Sequence, residues 1–76
     1  MKTHEIEHIR VYKLGVTQRE LAEMLGFTTG AVGKWTTNEN LPSHTKPGPL
    51  AVKVLKYLSM LPKEERRKAI EIFKAL

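Results

Sequence analysis

The stretch Thr17-Gln18-Arg19-Glu20-Leu21-Ala22-Glu23-Met24-Leu25-Gly26-Phe27-Thr28-Thr29-Gly30-Ala31-Val32-Gly33-Lys34-Trp35 decides the fold. Thr17 with Glu20 three residues later is a capping box, the reciprocal pair of hydrogen bonds that opens a helix. Leu21, Ala22, Met24 and Leu25 give that helix an apolar face, and Gly26 ends it because glycine accepts the positive φ of a left-handed C-cap. Thr28 then caps the next helix, which runs to about Trp35 or Thr37, with Val32 and Trp35 at i and i+3 turned inward. Two short helices joined by a glycine turn make a compact corner. Such a corner needs a small residue at the crossing (Ala22), a turn residue tolerant of positive φ (Gly26) and inward apolar residues, here Leu21, Leu25, Phe27, Val32 and Trp35.

Working outward, the apolar positions recur at three and four with no hairpin signals, so the chain reads as all-α. A first helix spans about Thr3 to Leu14, with Ile6 and Ile9 on its inner face and Gly15 as its stop, and Val16 returns the chain to the core. From Thr37 to Pro49 the residues Asn38, Asn40, Pro42, Ser43, Pro47, Gly48 and Pro49 specify a loop, with Leu41 as its apolar anchor. A fourth helix follows from Pro49 or Leu50 to about Ser59. Leu50, Val54 and Leu58 form its stripe beside Ala51 and Leu55, while Lys53 and Lys56 face away. Pro62 reads as the first residue of a fifth helix, with Glu64 and Glu65 at its positive end and Lys74 at its negative end. There are no repeats.

With 76 residues the chain has room for one small domain, and the absence of cysteine excludes disulfide or thiolate staples. The expectation is a single domain over 1–76, cytoplasmic, with no leader peptide and no membrane span. The net charge of +5 points to a polyanionic partner. Its distribution is uneven: three cations and two Glu before residue 17, two and three over 17–45, eight and three from residue 46 onward. The corner is thus the acidic part of a basic chain, and the excess lies in the last two helices. Those cations either attract a polyanion at long range or cover an apolar stripe with their stems.

The segment resembles the helix-turn-helix of the Cro/cI-type repressors, also called the XRE family. The likeness rests on Thr17-Gln18 opening the second helix, Trp35 closing the third and Leu41-Pro42 following at the usual distance, and it covers about Ile6 to Pro42. It implies a compact five-helix domain with the helix-turn-helix at 17–36. Many members have a Gly three residues after the Trp, where this chain has Asn38, the residue next best suited to left-handed φ. Many also pair an Arg in the first helix with a Glu just after the Trp. The matching positions here are Val11 and Thr36, so both partners are missing, while Arg10 lies one position earlier and within reach of a phosphate or a Glu.

Carried over position by position, the resemblance places Thr29, Gly30, Gly33 and Lys34 on the groove-facing side of the third helix. Lys34 suits guanine O6 or N7, and Thr29 suits a base edge or a thymine methyl. Gly30 and Gly33 each weaken a helix by about 1 kcal/mol relative to Ala. Close approach to DNA or tight packing on another helix would each explain them. Gln18, Arg19 and Thr28 form the expected phosphate clamp, with Asn38, Asn40, His44, Thr45 and Lys46 in the loop that runs beside the backbone. The last helix (62–76) carries Ile70, Ile72, Phe73 and Leu76, a candidate dimer interface for reading two half-sites; the alternative is packing within the protomer.

His4-Glu5-Ile6-Glu7-His8 matches the H-E-x-x-H pattern of zinc proteases, but a catalytic site also needs a third ligand and a cleft, and Ile6 is needed in the core. The chain has no Asp or Cys and no glycine-rich phosphate loop, so no catalytic set, metal or cofactor is expected. The expected role is a homodimeric regulator binding an inverted repeat in double-stranded DNA, a repressor or autorepressor like those of phages and mobile elements. The competing role is protein interaction: an antitoxin whose last helix grips a toxin, or an adaptor that kept the fold without DNA binding.

Overall fold

A computed structural model describes residues 1–76. The helices are α1 (Thr3–His8), which continues without a break into a π-wound segment (Ile9–Leu14), then α2 (Gln18–Leu25), α3 (Thr29–Trp35), α4 (Pro49–Met60) and α5 (Lys63–Ala75). There is no strand, and the five-helix all-α arrangement is the one expected. No helix is long and apolar enough to cross a membrane. One hydrophobic cluster unites the chain, with Ile6, Leu21, Val32, Leu55 and Leu58 at 0 or 1% exposure.

The capping chemistry is as the sequence dictates. Glu20 N–H donates to Thr17 Oγ1 (3.1 Å) and Thr17 N–H donates to Glu20 Oε1 (3.0 Å). Gly26 takes φ 77° and passes the chain to Thr28, whose hydroxyl oxygen accepts from Ala31 N–H at 3.1 Å. Glu20 has a second partner: its Oε2 lies 2.7 Å from Lys74 Nζ, so α5 is tied to the start of α2. Lys74 therefore does more than face the negative end of its own helix.

The first helix corrects the sequence reading. Its second half winds as a π-helix because the inward residues Ile9 and Leu14 are five apart, with the exposed Tyr12 and Lys13 between them. At about 100° per residue an α-helix would turn Leu14 well away from Ile9, whereas an i→i+5 turn brings it underneath. The wide turn is closed by the Arg10 carbonyl, which accepts from Gly15 N–H and from Val16 N–H (3.2 Å), and by Arg10 Nη1, which donates to the Val16 carbonyl at 2.8 Å. Arg10 also pairs with Glu7, its Nη2 2.8 Å from Oε2.

Other expectations are displaced by smaller amounts. Phe27 sits on the rim of the corner, 44% exposed and edge-on to Trp35 with ring centroids 5.0 Å apart. The α4 stripe is rotated to Ala51, Leu55 and Leu58, which face the core, with Val54 half-buried beside it and Leu50, one residue before Ala51, turned outward and exposed. Pro62 is the extended N-cap of α5, accepting from Arg66 N–H at 2.8 Å, and the first helical residue is Lys63. The loop anchor is the buried Pro47, with Leu41 exposed. Ile70, expected at an intermolecular interface, is buried in the protomer's own core with Phe73 packed against it, while Ile72 and Leu76 stay exposed.

The Lys74 ammonium, together with the Thr17 amide, holds the Glu20 carboxyl at about 2, against an ordinary value of 4.5. A carboxyl whose folded-state value is depressed contributes stability that is complete above about 4.5 and is lost as pH falls toward 2. Glu20→Gln keeps an acceptor for Thr17 N–H and removes the charge. It is expected to lower Tm by a few degrees at pH 7, with the gap to the unsubstituted protein closing between pH 4.5 and pH 2. Thermal melts followed by circular dichroism across that range check this. Leu55→Ala, at a fully buried site, should destabilise by about 2–5 kcal/mol in urea titrations.

Candidate nucleic-acid interface

The α2–α3 corner presents a surface whose side chains the core does not use. Thr29, Gly30 and Lys34 are exposed on α3, Gly33 is half-buried beside them, and Val32 and Trp35 occupy the opposite face. The corner therefore brings the four expected base-reading positions onto one side of a seven-residue helix. Lys34 takes part in none of the protein's three ion pairs, which leaves its ammonium available to an outside acceptor.

The two glycines bear on why this helix is so bare. A Cβ on Gly30 would come no nearer than 4.0 Å to Thr28 Oγ1, and one on Gly33 no nearer than 3.9 Å to Gln18 Oε1. Both distances are ordinary van der Waals contact, and neither residue has a positive φ. Packing inside the protomer thus does not require glycine at either position, which removes one of the two readings of the sequence. What remains is room for something that approaches the helix from outside.

Gln18 stands at the first position of α2, as a phosphate clamp requires, but its side chain is already held. Its Nε2 donates to Thr36 Oγ1 at 2.9 Å, and that hydroxyl donates to the Gly33 carbonyl at 3.1 Å. The start of α2 is thereby fastened to the end of α3. Thr36 stands where many members of the resembling family have a glutamate, and Gln18 is its partner here. Arg19 is well exposed and lies 3.5 Å from Glu23, a loose pair that leaves the guanidinium free to move. Thr28 is exposed, its oxygen engaged in the cap.

The loop after α3 is built by side chains closing on nearby backbone. Thr37 Oγ1 donates to the Lys34 carbonyl (3.1 Å), and Asn38 Oδ1 accepts from Asn40 N–H (2.9 Å). No residue other than glycine has positive φ, so Asn38 makes this turn through its side-chain carbonyl and not through the left-handed backbone expected of it. Asn38, Asn40, Thr45 and Lys46 are exposed. His44 is half-buried, and its Nδ1 is shut away from solvent with no hydrogen-bond partner. Thr45 N–H donates to the Lys34 carbonyl at 3.1 Å, bringing the loop back to the end of α3.

One contributor escaped the sequence reading. Thr3 Oγ1 lies 3.3 Å from the carbonyls of both Trp35 and Thr37, and Thr3 N–H donates to Glu39 Oε1 at 3.0 Å. That amide holds the Glu39 carboxyl below its ordinary range. The start of α1 thus braces the end of α3, a contact across more than thirty residues that local patterning does not signal. The His4 and His8 side chains stand on the exposed side of the same helix, beside a hollow of about 800 Å³. No cluster of three or more His, Cys, Asp or Glu that could hold a metal accompanies them.

Compared with known proteins, a family model described as helix-turn-helix matches residues 6–45, more than half of the chain. No curated protein and no solved structure matches it.

Because a methyl group fits at both glycines and alanine is the better helix former, Gly30→Ala and Gly33→Ala should each raise stability by about 0.5–1 kcal/mol. Urea unfolding measures this. A loss of stability in either variant would show that the protomer itself needs the bare position.

Proposed function

The chain belongs to the helix-turn-helix family of the Cro/cI (XRE) type, a family of DNA-binding transcription regulators, and from that premise we propose that it is a dimeric repressor or autorepressor of an inverted-repeat operator. Residues 1–76 act as one DNA-binding domain in the cytoplasm. The observation that carries the reading is the exposed α3 face, where Lys34 is free of ion pairs and two glycines have no internal reason to be bare.

In this reading α3 enters the major groove and α2 lies across the backbone. Lys34 donates to guanine O6 or N7, and Thr29 meets a base edge or thymine methyl. Gly30 and Gly33 let the helix backbone come close to the base pairs. Arg19, Asn38, Asn40, Thr45 and Lys46 supply phosphate contacts from exposed side chains, while Gln18 and Thr28 contribute their backbone N–H groups and His44 its Nε2, and together they set the register. With so few reading side chains, groove shape and bridging water carry part of the specificity.

Two copies read the two half-sites through a contact that includes Ile72 and Leu76, which are 60% and 95% exposed. Ile70 and Phe73 support that contact from beneath, since they pack inside the protomer. Nearby Phe27 and Leu50 rim an apolar hollow that also takes in Phe73. This hollow favours a second reading, in which the apolar end of the molecule receives a different protein, such as a toxin.

Selection of bound duplexes from a random pool should yield an inverted repeat. Lys34→Ala should relax the preference at one base pair per half-site, at a cost of about 1–3 kcal/mol. A preference that Lys34→Ala leaves unchanged removes this residue from the reading set. Sedimentation at micromolar concentration should show dimers, and Ile72→Lys with Leu76→Lys should give monomers. A protein that stays monomeric with and without DNA contradicts the dimer.

A further inference from the structure

Three of the eight cations of the C-terminal part meet Lys13 around one groove. It has a volume of about 400 Å³ and runs between the end of the π-wound segment and the first two turns of α5. Lys63, Arg66 and Arg67 line one side and Lys13 the other, with Tyr12 at the rim and Leu14 and Ile70 as the floor. Lys63, Arg66, Arg67 and Ile70 follow the i, i+3, i+4, i+7 pattern, so they share one face of α5. The buried Ile70 and Leu14 fix how that face sits against the π-wound segment.

The charge of this groove is uncompensated. None of its lining residues is a carboxylate, although Glu64 and Glu65 occupy the same first turn of α5. None of the three ion pairs in the protein includes Lys13, Lys63, Arg66 or Arg67. Four like charges around one hollow repel each other, and an anion brought from outside relieves that repulsion. Tyr12, 78% exposed, adds a hydroxyl of the kind that bonds phosphate oxygen.

We infer that this groove is a second phosphate-binding surface for the DNA backbone, separate from the helix-turn-helix. It shares no residue with the reading face, and it belongs to α5 and the π-wound segment, whereas α3 packs on α2. The inference rests on the DNA-binding role. Once α3 is docked, neighbouring DNA is present at high effective concentration, which favours a nucleic acid over a free acidic protein as the occupant. The phosphates are those of the flanks of the duplex on which α3 is docked, and a second duplex is the other outcome that the test separates.

The test compares the unsubstituted protein with Lys63→Gln/Arg66→Gln/Arg67→Gln and with the charge-keeping Lys63→Arg/Arg66→Lys/Arg67→Lys. Each is titrated against the selected site as a bare duplex and as one extended by about one helical turn on each side. The side chains altered are on the surface, and circular dichroism confirms that the helices persist. Each lost phosphate contact lowers the slope of log K against log salt by about 0.9. The Gln variant should lose about two to three units of slope, and the charge-keeping variant should lose none. Loss on the extended duplex alone assigns the flanks. Loss on the bare duplex, with twice the DNA bound at saturation, assigns a second duplex.

Equal slopes for all three proteins on both duplexes overturn the groove while leaving the helix-turn-helix reading intact. Failure of the unsubstituted protein to bind any selected duplex overturns that reading and this one with it. If the Gln variant keeps its DNA slope but no longer retains poly-glutamate, the groove serves an acidic protein and the inference is wrong.

Discussion

The carboxylate of Glu20 accepts from two distant parts of the chain. One oxygen closes the capping box with Thr17 and the other holds Lys74. Helices of eight and seven residues, such as α2 and α3, are too short to persist alone in water. They exist here because their ends are tied down. Glu20 fixes the start of α2 against α5, Gln18 fastens it to Thr36 at the end of α3, and Thr3 braces the same end from α1. Beneath these polar ties lies the buried set of Leu21, Ala22, Val32 and Trp35. The ties set the angle of the corner, and the apolar set supplies the free energy that keeps it.

Holding the corner from behind leaves its outer face free for function. The residues there are polar or bare, and they make few contacts within the protomer. The acidic balance of the corner concerns mainly Glu20, Glu23 and Glu39, and all three have partners: Lys74, Arg19 and the Thr3 amide. Their charges are thereby partly answered before a polyanion arrives, while Lys34 has no such partner. Local net charge is therefore a poor guide to the potential that DNA would meet.

The caps of the corner, its glycine turn and the inward Leu21, Val32 and Trp35 were legible in the sequence because each depends on residues within a turn of one another. So were the order of the helices and the exposure of Thr29, Gly30 and Lys34. Some errors were local, such as the wide turn over 9–14, the N-cap role of Pro62 and the side-chain turn of Asn38, and the others concern which face a residue shows to elements far away in the chain. Leu50 and Phe27 are apolar and near apolar neighbours, yet they lie past the edge of the core. Pro47 anchors the loop and Leu41 does not, because the path of the loop is set by the ties of Thr45 and Thr37 to the end of α3. Of the candidate site, position on the helix was readable. The prior engagement of Gln18 and the inward Nδ1 of His44 depend on tertiary geometry.

The π-wound turn bears on how this chain is matched to others. A turn that closes from i to i+5 holds one residue more than an α-turn while its two ends stay in the same helix. Counting back from Gly15 as though along an α-helix lands on Val11, which is exposed and whose side chain has no polar atom to bond with. Counting through the wide turn lands on Arg10, which carries both an ion pair and a bond to the Val16 carbonyl. An insertion can thus be absorbed inside a helix, with no loop to betray it. In this chain the wide turn sets Arg10, not Val11, against Gly15, and so ties the end of the first helix to the residue that leads into α2.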